Sequence, residues 1–242
     1  MRVLVSILFS IAFMTGCSVL KPDAAPDSGF LEGPEKMREG EAISARWSSD
    51  YYRQHKSEYK KIYVAPVSTA YLEKTGDWKH IQVSSEVEIK QDAREMADYM
   101  EEQFKKAIRE GKAEKFSLAD RPGPNTITME LAIVELVPTD VARNAAGQVV
   151  GFFVPGGGLV SAGAGGSIAM EGRTKDSQSG QMLSMVKDRR VDKIAPIDVA
   201  GLTPYRNAKK NIDDWVDGFV DSFNTPVDEK VHINSGVTLS PW

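Results

Sequence analysis

Apolar and polar positions change period along this chain, and the changes mark its elements. Around residues 59–67, Ile62, Val64 and Pro66 alternate with Tyr63, Ala65 and Val67, the two-residue period of a strand. Pro66 has no N–H for a ladder, so the strand ends there or lies at an edge. Over residues 85–110 the spacing becomes three and four. Ala93, Met96, Ala97, Met100, Phe104, Ala107 and Ile108 form a stripe, while Glu101, Glu102, Lys105 and Lys106 occupy the other face. This predicts a helix capped by Ser84 or Ser85 and stopped by Gly111. Two prolines and a glycine in Asp120-Arg121-Pro122-Gly123-Pro124-Asn125 predict a turn. Residues 126–137 read as the strongest strand. Ile127, Met129, Leu131 and Ile133 point one way, and Thr128, Glu130, Ala132 and Val134 the other, until Pro138. Residues 167–174 and 182–192 read as a hairpin around Asp176-Ser177-Gln178-Ser179-Gly180. Residues 205–223 place Tyr205, Ala208, Ile212, Trp215, Phe219 and Phe223 on one helical stripe, and residues 224–242 read as an extended tail. The expectation is an α+β fold: an antiparallel-rich sheet with two helices packed on one face, in the order β-α-β-β-β-α.

The N-terminal pattern differs. Arg2 precedes an apolar run over residues 3–13, followed by Met14-Thr15-Gly16-Cys17. This is the layout of a bacterial lipoprotein signal, with Met14 where leucine is more usual. Residues 1–16 are expected to be removed and Cys17 to carry acyl chains. Cys17 is the single cysteine, which suits one covalent task and no disulfide. The apolar run is shorter than the ~20 residues a spanning helix needs, so the acyl chains are the expected anchor. Ser18 follows where aspartate retains some lipoproteins in the inner membrane, which favours the outer membrane facing the periplasm. Residues 17–57, rich in Lys, Asp, Glu, Ser, Gly and Pro, are expected to be the lipidated cysteine and its tether, with Phe30-Leu31 and Trp47 docking. Residues 58–242 are expected to form a single α+β domain with a Gly-rich loop over residues 149–166.

Composition adds little. Hydrophobic residues make up 41% and charged residues 26%, ordinary for a globular chain. The net charge of −4 comes with no basic stripe to neutralise phosphates, so no nucleic-acid partner is expected.

Several short motifs recur together and in order: Ser28-Gly29-Phe30-Leu31, Tyr59-Lys60-Lys61-Ile62-Tyr63-Val64-Ala65-Pro66-Val67, the stretch from Asp120 to Thr139 that includes Pro122-Gly123-Pro124 and ends in Val137-Pro138-Thr139, and Asp176 with Gly180. On these the chain resembles an uncharacterised bacterial lipoprotein family, domain of unknown function 3313. The resemblance implies class and location but brings no activity.

The remaining candidates are weighed one by one. Residues 149–170 hold no charge over 22 positions and include seven glycines. Pro155 and the triple glycine at 156–158 break any spanning helix. The stretch is either a flexible loop joining two strands or an apolar hairpin touching lipid or a partner through Phe152, Phe153, Leu159 and Val160. Ser57-x-x-Lys60 and Lys74-Thr75-Gly76 imitate penicillin-recognising motifs but lie too close together. His55, His80 and His232 lack ligand spacing. Asp213, Asp217 and Asp221, with Asp214 beside them, form a helical row that reads as a solvated acidic face. No hydrolase elbow, Walker loop or dinucleotide fingerprint is present, so no cofactor, no metal site and no catalytic residue are assigned. The expected function is a non-enzymatic, lipid-anchored binding or scaffold protein of the envelope. Its partners would be the membrane through Cys17, another envelope protein, or a second copy. The alternatives are an export or assembly accessory whose glycine-rich segment contacts the membrane and, behind it, a hydrolase.

Overall fold

The computed structural model describes residues 27–40, 43–72, 86–137, 152–154, 158–160, 167–191 and 205–225. Among them, seven strands form one sheet: β1 (Arg38–Glu39), β2 (Ala45–Ser48), β3 (Lys61–Val64), β4 (Ser117–Leu118), β5 (Thr126–Val137), β8 (Ser167–Asp176) and β9 (Met182–Val191). Their spatial order is β1-β2-β9-β8-β5-β3-β4. A separate two-stranded ribbon comprises β6 (Phe152–Val154) and β7 (Gly158–Val160). Three helices accompany the strands: α1 (Asp50–His55), α2 (Glu86–Arg109) and α3 (Arg206–Asn224).

The class is α+β, but the sheet is mixed, which corrects the antiparallel-rich expectation. β3 runs parallel to both β4 and β5, whereas β5, β8, β9, β2 and β1 follow one another antiparallel. The reason lies in the connection. A tight turn reverses a strand, but the 24-residue α2 carries the chain back so that the next long strand starts at the same end. The expected order β-α-β-β-β-α also omits β1, β2, α1, β4 and the ribbon. Within the stretch expected to be tether, β1 and β2 are strands of the sheet, and Ser28, Phe30 and Leu31 are buried.

The two sides of the sheet differ. On one side, Ile127, Met129, Leu131 and Ile133 of β5 pack with Met96, Met100 and Phe104 of α2 and with Ile212, Trp215 and Val216 of α3 in the main core. Phe104 meets Phe219 edge-on at 5.2 Å between ring centres, and the Tyr205 hydroxyl donates to Asp92 across the two helices at 2.8 Å. Gly172 of β8 lets Leu131 and Val186 close over it; a Cβ there would stand 2.9 Å from a methyl of each. A bulge between Ile133 and Glu135 shifts the alternation, so Leu136 rejoins the main core. On the other side, Ala132, Val134, Ala169 and Met185 form a second, smaller cluster with Phe30 and Leu31. That side is called the rear face below.

Candidate functional site

Three regions hold most of the family motifs and of the expected site residues among the described ones. The first is one end of the sheet. Asn125 sits at φ +53° and turns its carbonyl toward β3, where it accepts from the N–H groups of Lys60 and Lys61 at 2.9 and 3.2 Å. Asp176 closes the β8–β9 turn. Its Oδ1 accepts from the N–H of Gln178 and from the N–H and hydroxyl of Ser179, and its Oδ2 accepts from the Tyr59 hydroxyl at 3.0 Å. Gly180 completes that turn at φ +72°, where a side chain would be strained. Burial pushes the Asp176 carboxyl up, but these donors together hold it below the usual carboxylate value. Burial, and then the bond and charge of Asp176, push the Tyr59 phenol up. Thus the Tyr-Lys-Lys strand, the Pro-Gly-Pro turn and the Asp-x-x-x-Gly turn meet in a single hydrogen-bonded knot.

The second region is the rear face, built on cross-strand pairs. The register sets Glu130 opposite Arg173, Glu171 opposite Lys187, and Glu135 beside Ala169, which in turn faces Arg189. Arg173 pairs with Glu130 through Nε. Arg189 Nε reaches both oxygens of Glu135 at 3.0 and 3.1 Å. Lys187 Nζ lies 3.6 Å from Oε1 of Glu171, whose side chain is 0% exposed. Burial pushes the Glu130 carboxyl up, but the bond and charge of Arg173, aided by Lys175, hold it below the usual value.

Onto this face docks the Ser28-Gly29-Phe30-Leu31 motif. The Ser28 hydroxyl donates to Glu171 Oε2 at 2.5 Å. Arg173 donates to the Phe30 carbonyl at 2.7 Å and lies 4.5 Å over the Phe30 ring. That ring meets Tyr71 edge-on at 5.2 Å. The segment also shapes itself. Gly29 N–H donates to Asp27, Phe30 N–H donates back to the Ser28 hydroxyl, and Gly29 adopts φ +79°. These are the local side-chain turns that Asp and Ser favour.

The third region is the ribbon. β6 and β7 pair antiparallel with Phe152 opposite Val160 and Phe153 opposite Leu159. The backbone therefore brings together the four residues expected to contact lipid or a partner. The ribbon belongs to the connection between β5 and β8, the longest strand pair of the sheet. Cys17 lies outside the described residues, as do His80, His232 and Lys74-Thr75-Gly76. His55 stacks on Tyr51 at 4.1 Å, with Nδ1 at 2.9 Å from the Tyr51 carbonyl. Lys60 donates to the Ser57 carbonyl at 2.7 Å and not to its hydroxyl. Asp213 accepts from the Tyr99 hydroxyl at 2.9 Å, so the acidic row is engaged with α2 at that point. Among the described residues no helix is long and apolar enough to cross a membrane.

The sequence reading missed the rear-face charges and Asp188. That buried carboxylate accepts from the N–H and hydroxyl of Ser44, from Arg190 Nε and from Trp215 Nε1 at 2.7 to 2.9 Å. It pins α3 and the approach to β2 onto β9. The available signal was charge complementarity in register: Glu171, Arg173 and Lys175 alternate on β8, and Lys187 and Arg189 alternate on β9.

The arrangement is an α+β domain with a mixed sheet, helices over one side and a peptide segment over the other. The chain belongs to the family described as "Protein of unknown function (DUF3313)", whose model matches residues 26–219. Among curated proteins none matches the chain. Solved structures similar to it include the PelC dodecamer from Paraburkholderia phytofirmans, at 8% identity and a TM-score of 0.33, covering 66% of this chain and 87% of that one. Another is the hypothetical protein CT253 from Chlamydia trachomatis, at 12% identity and a TM-score of 0.31, covering 68% of this chain and 99% of that one.

Proposed function

We propose that the chain is a lipid-anchored envelope lipoprotein that works by binding: a non-enzymatic scaffold held at Cys17, on the outer membrane, with its α+β domain in the periplasm. The observation that carries this reading is the position of Cys17, at the end of an apolar signal and ten positions before Asp27. Ten residues reach at most about 35 Å. The segment that follows them is docked through Ser28 and Phe30, so the anchor is coupled to the rear face and the domain stays close to the bilayer. The test is Cys17→Ala. The variant leaves the membrane fraction and loses the mass of its acyl chains; if it stays there with unchanged mass, the reading falls. Crosslinking of the tagged chain in living cells, followed by mass spectrometry, then names the protein it binds.

A second reading has its own support. The pairing of Phe152 with Val160 and Phe153 with Leu159 in an uncharged ribbon suits an export or assembly accessory that touches the bilayer. A chain beginning at Ser18 should then require detergent to stay monodisperse. Free solubility without detergent removes this reading.

A further inference from the structure

We infer that the end of the sheet at which β5 stops and β8 begins faces the bilayer, and that the β6–β7 ribbon enters the membrane interface there as a second attachment beside Cys17. The inference rests on the Cys17 anchor proposed above, and it gives the bilayer contact of the second reading a place on the molecule.

The course of the N-terminal segment supplies the direction. Ser28 bonds Glu171, Phe30 offers its carbonyl to Arg173, and Glu32 lies 3.2 Å from Arg173 and 3.9 Å from Lys175. Residues 28–32 therefore run along β8 in its own direction, from its Ser167 end toward its Asp176 end. Traced backward from Ser28, the chain points to the Ser167 end. Four residues of strand, about 13 Å, separate Glu171 from that end. This is well inside the roughly 35 Å that the ten residues before Asp27 can reach.

The ribbon belongs to the same end. Val137 pairs with Ser167, so the connection carrying β6 and β7 leaves the sheet and returns to it there. Val160 is seven positions from Ser167, at most about 25 Å of chain. Anchor and ribbon thus share one pole of the sheet and can meet one flat surface together.

The two poles differ in charge. Residues 144–170 hold no Asp, Glu, Lys or Arg, and every residue of β6 and β7 is apolar. Successive residues of a strand alternate between its faces, so neither face of the ribbon has a polar row in its sequence. The opposite pole presents exposed Glu58 and Lys60 beside Tyr59 and Asp176, and placing those charges against lipid would be costly. Length sets the depth. Three paired residues span about 10 Å, comparable with the ~5–10 Å that interfacial elements penetrate. A spanning strand needs roughly 9–11 residues. The interface also leaves water for the outer N–H and C=O groups of the ribbon, which hydrocarbon does not.

The experiment uses the full-length lipidated chain in vesicles of phosphatidylethanolamine and phosphatidylglycerol. Cys17 is the single cysteine, so once it is acylated an introduced cysteine is the only free thiol. Phe153→Cys, Leu159→Cys and, at the opposite pole, Gln178→Cys each take the same environment-sensitive fluorophore, and nitroxide-labelled lipid is the quencher. The fluorophores at 153 and 159 should be quenched about threefold more strongly than the one at 178. Circular dichroism melting against the parent chain checks folding, and two ribbon sites guard against a local effect of either label. Equal quenching at all three sites, or stronger quenching at 178, overturns the inference. Anchoring is read separately: if Cys17→Ala leaves the membrane while the three labels are quenched alike, the anchor stands and the orientation falls. If Cys17→Ala stays in the membrane with unchanged mass, anchor and inference fall together. If the ribbon labels are quenched while a chain beginning at Ser18 is soluble without detergent, the ribbon meets lipid only when the acyl chains hold it there. The inference then stands and the second reading does not.

Discussion

The two sides of the sheet solve the same problem with different chemistry. The helix side buries side chains without charge, apart from Asp188 with its four donors. The rear side buries carboxylates against Arg and Lys and closes with a short peptide segment. Apolar packing is non-directional and tolerates small rearrangement. A buried ion pair returns its desolvation cost only if its partners stay in place. The helix side therefore supplies most of the stability, and the rear side supplies a surface whose closure depends on a particular sequence being present.

Mutations separate these roles. Phe104→Ala removes a large ring enclosed by α2, α3 and the sheet, and should cost about 4 kcal/mol in denaturant unfolding. Glu171→Ala leaves Lys187, 11% exposed in its side chain, without its carboxylate, and should cost about 3 kcal/mol. The double replacement Glu171→Leu with Lys187→Met should restore part of that loss in the same measurement, because no charge is left unpaired although the buried Ser28 hydroxyl loses its acceptor. If it does not, the rear side is held by more than charge pairing. Trp215→Phe keeps the apolar area but deletes the donor to Asp188, and should cost about 2 kcal/mol, read from the thermal midpoint.

The smallest effect is a pH dependence. The Glu130 carboxyl lies below its ordinary value in the folded protein. Its contribution to stability is therefore complete above the unfolded value of about 4.3 and is lost as pH falls through the folded value. Glu130→Gln should flatten that acid limb of the stability curve while leaving stability near neutral pH only modestly lower. An unchanged acid limb would assign the titration to another group, Asp176 first, since its carboxyl is displaced in the same direction.

Long periodic stretches were legible, and short or directional features were not. The alternation through Ile127, Met129, Leu131 and Ile133 and the stripe from Ala93 to Ile108 each extend over enough turns or pleats to fix their type, and β5 and α2 occupy those residues. β1 and β4 are two residues each, too short for any period. Alternation is the same in either strand direction, so the parallel course of β3 left no mark in the pattern. The rear-face charges were not singled out, because Glu130, Arg173 and Lys187 each look like ordinary surface residues when taken alone. Their partners lie tens of residues away, and only the register brings them together. At the ribbon the apolar composition singled out Phe152, Phe153, Leu159 and Val160, and the register shows how two of them meet the other two. What they touch was not written in that stretch.

The docking of Ser28 on Glu171 spans 143 positions of sequence. During synthesis at about 5–20 residues per second, the segment is made roughly 7 to 30 s before its receptor strand exists. Until β8 is in the sheet, Glu171 and Arg173 are not in place to take the Ser28 hydroxyl and the Phe30 carbonyl. The first part of the domain to be made thus closes on a strand made long after it, and its docking requires the sheet behind it.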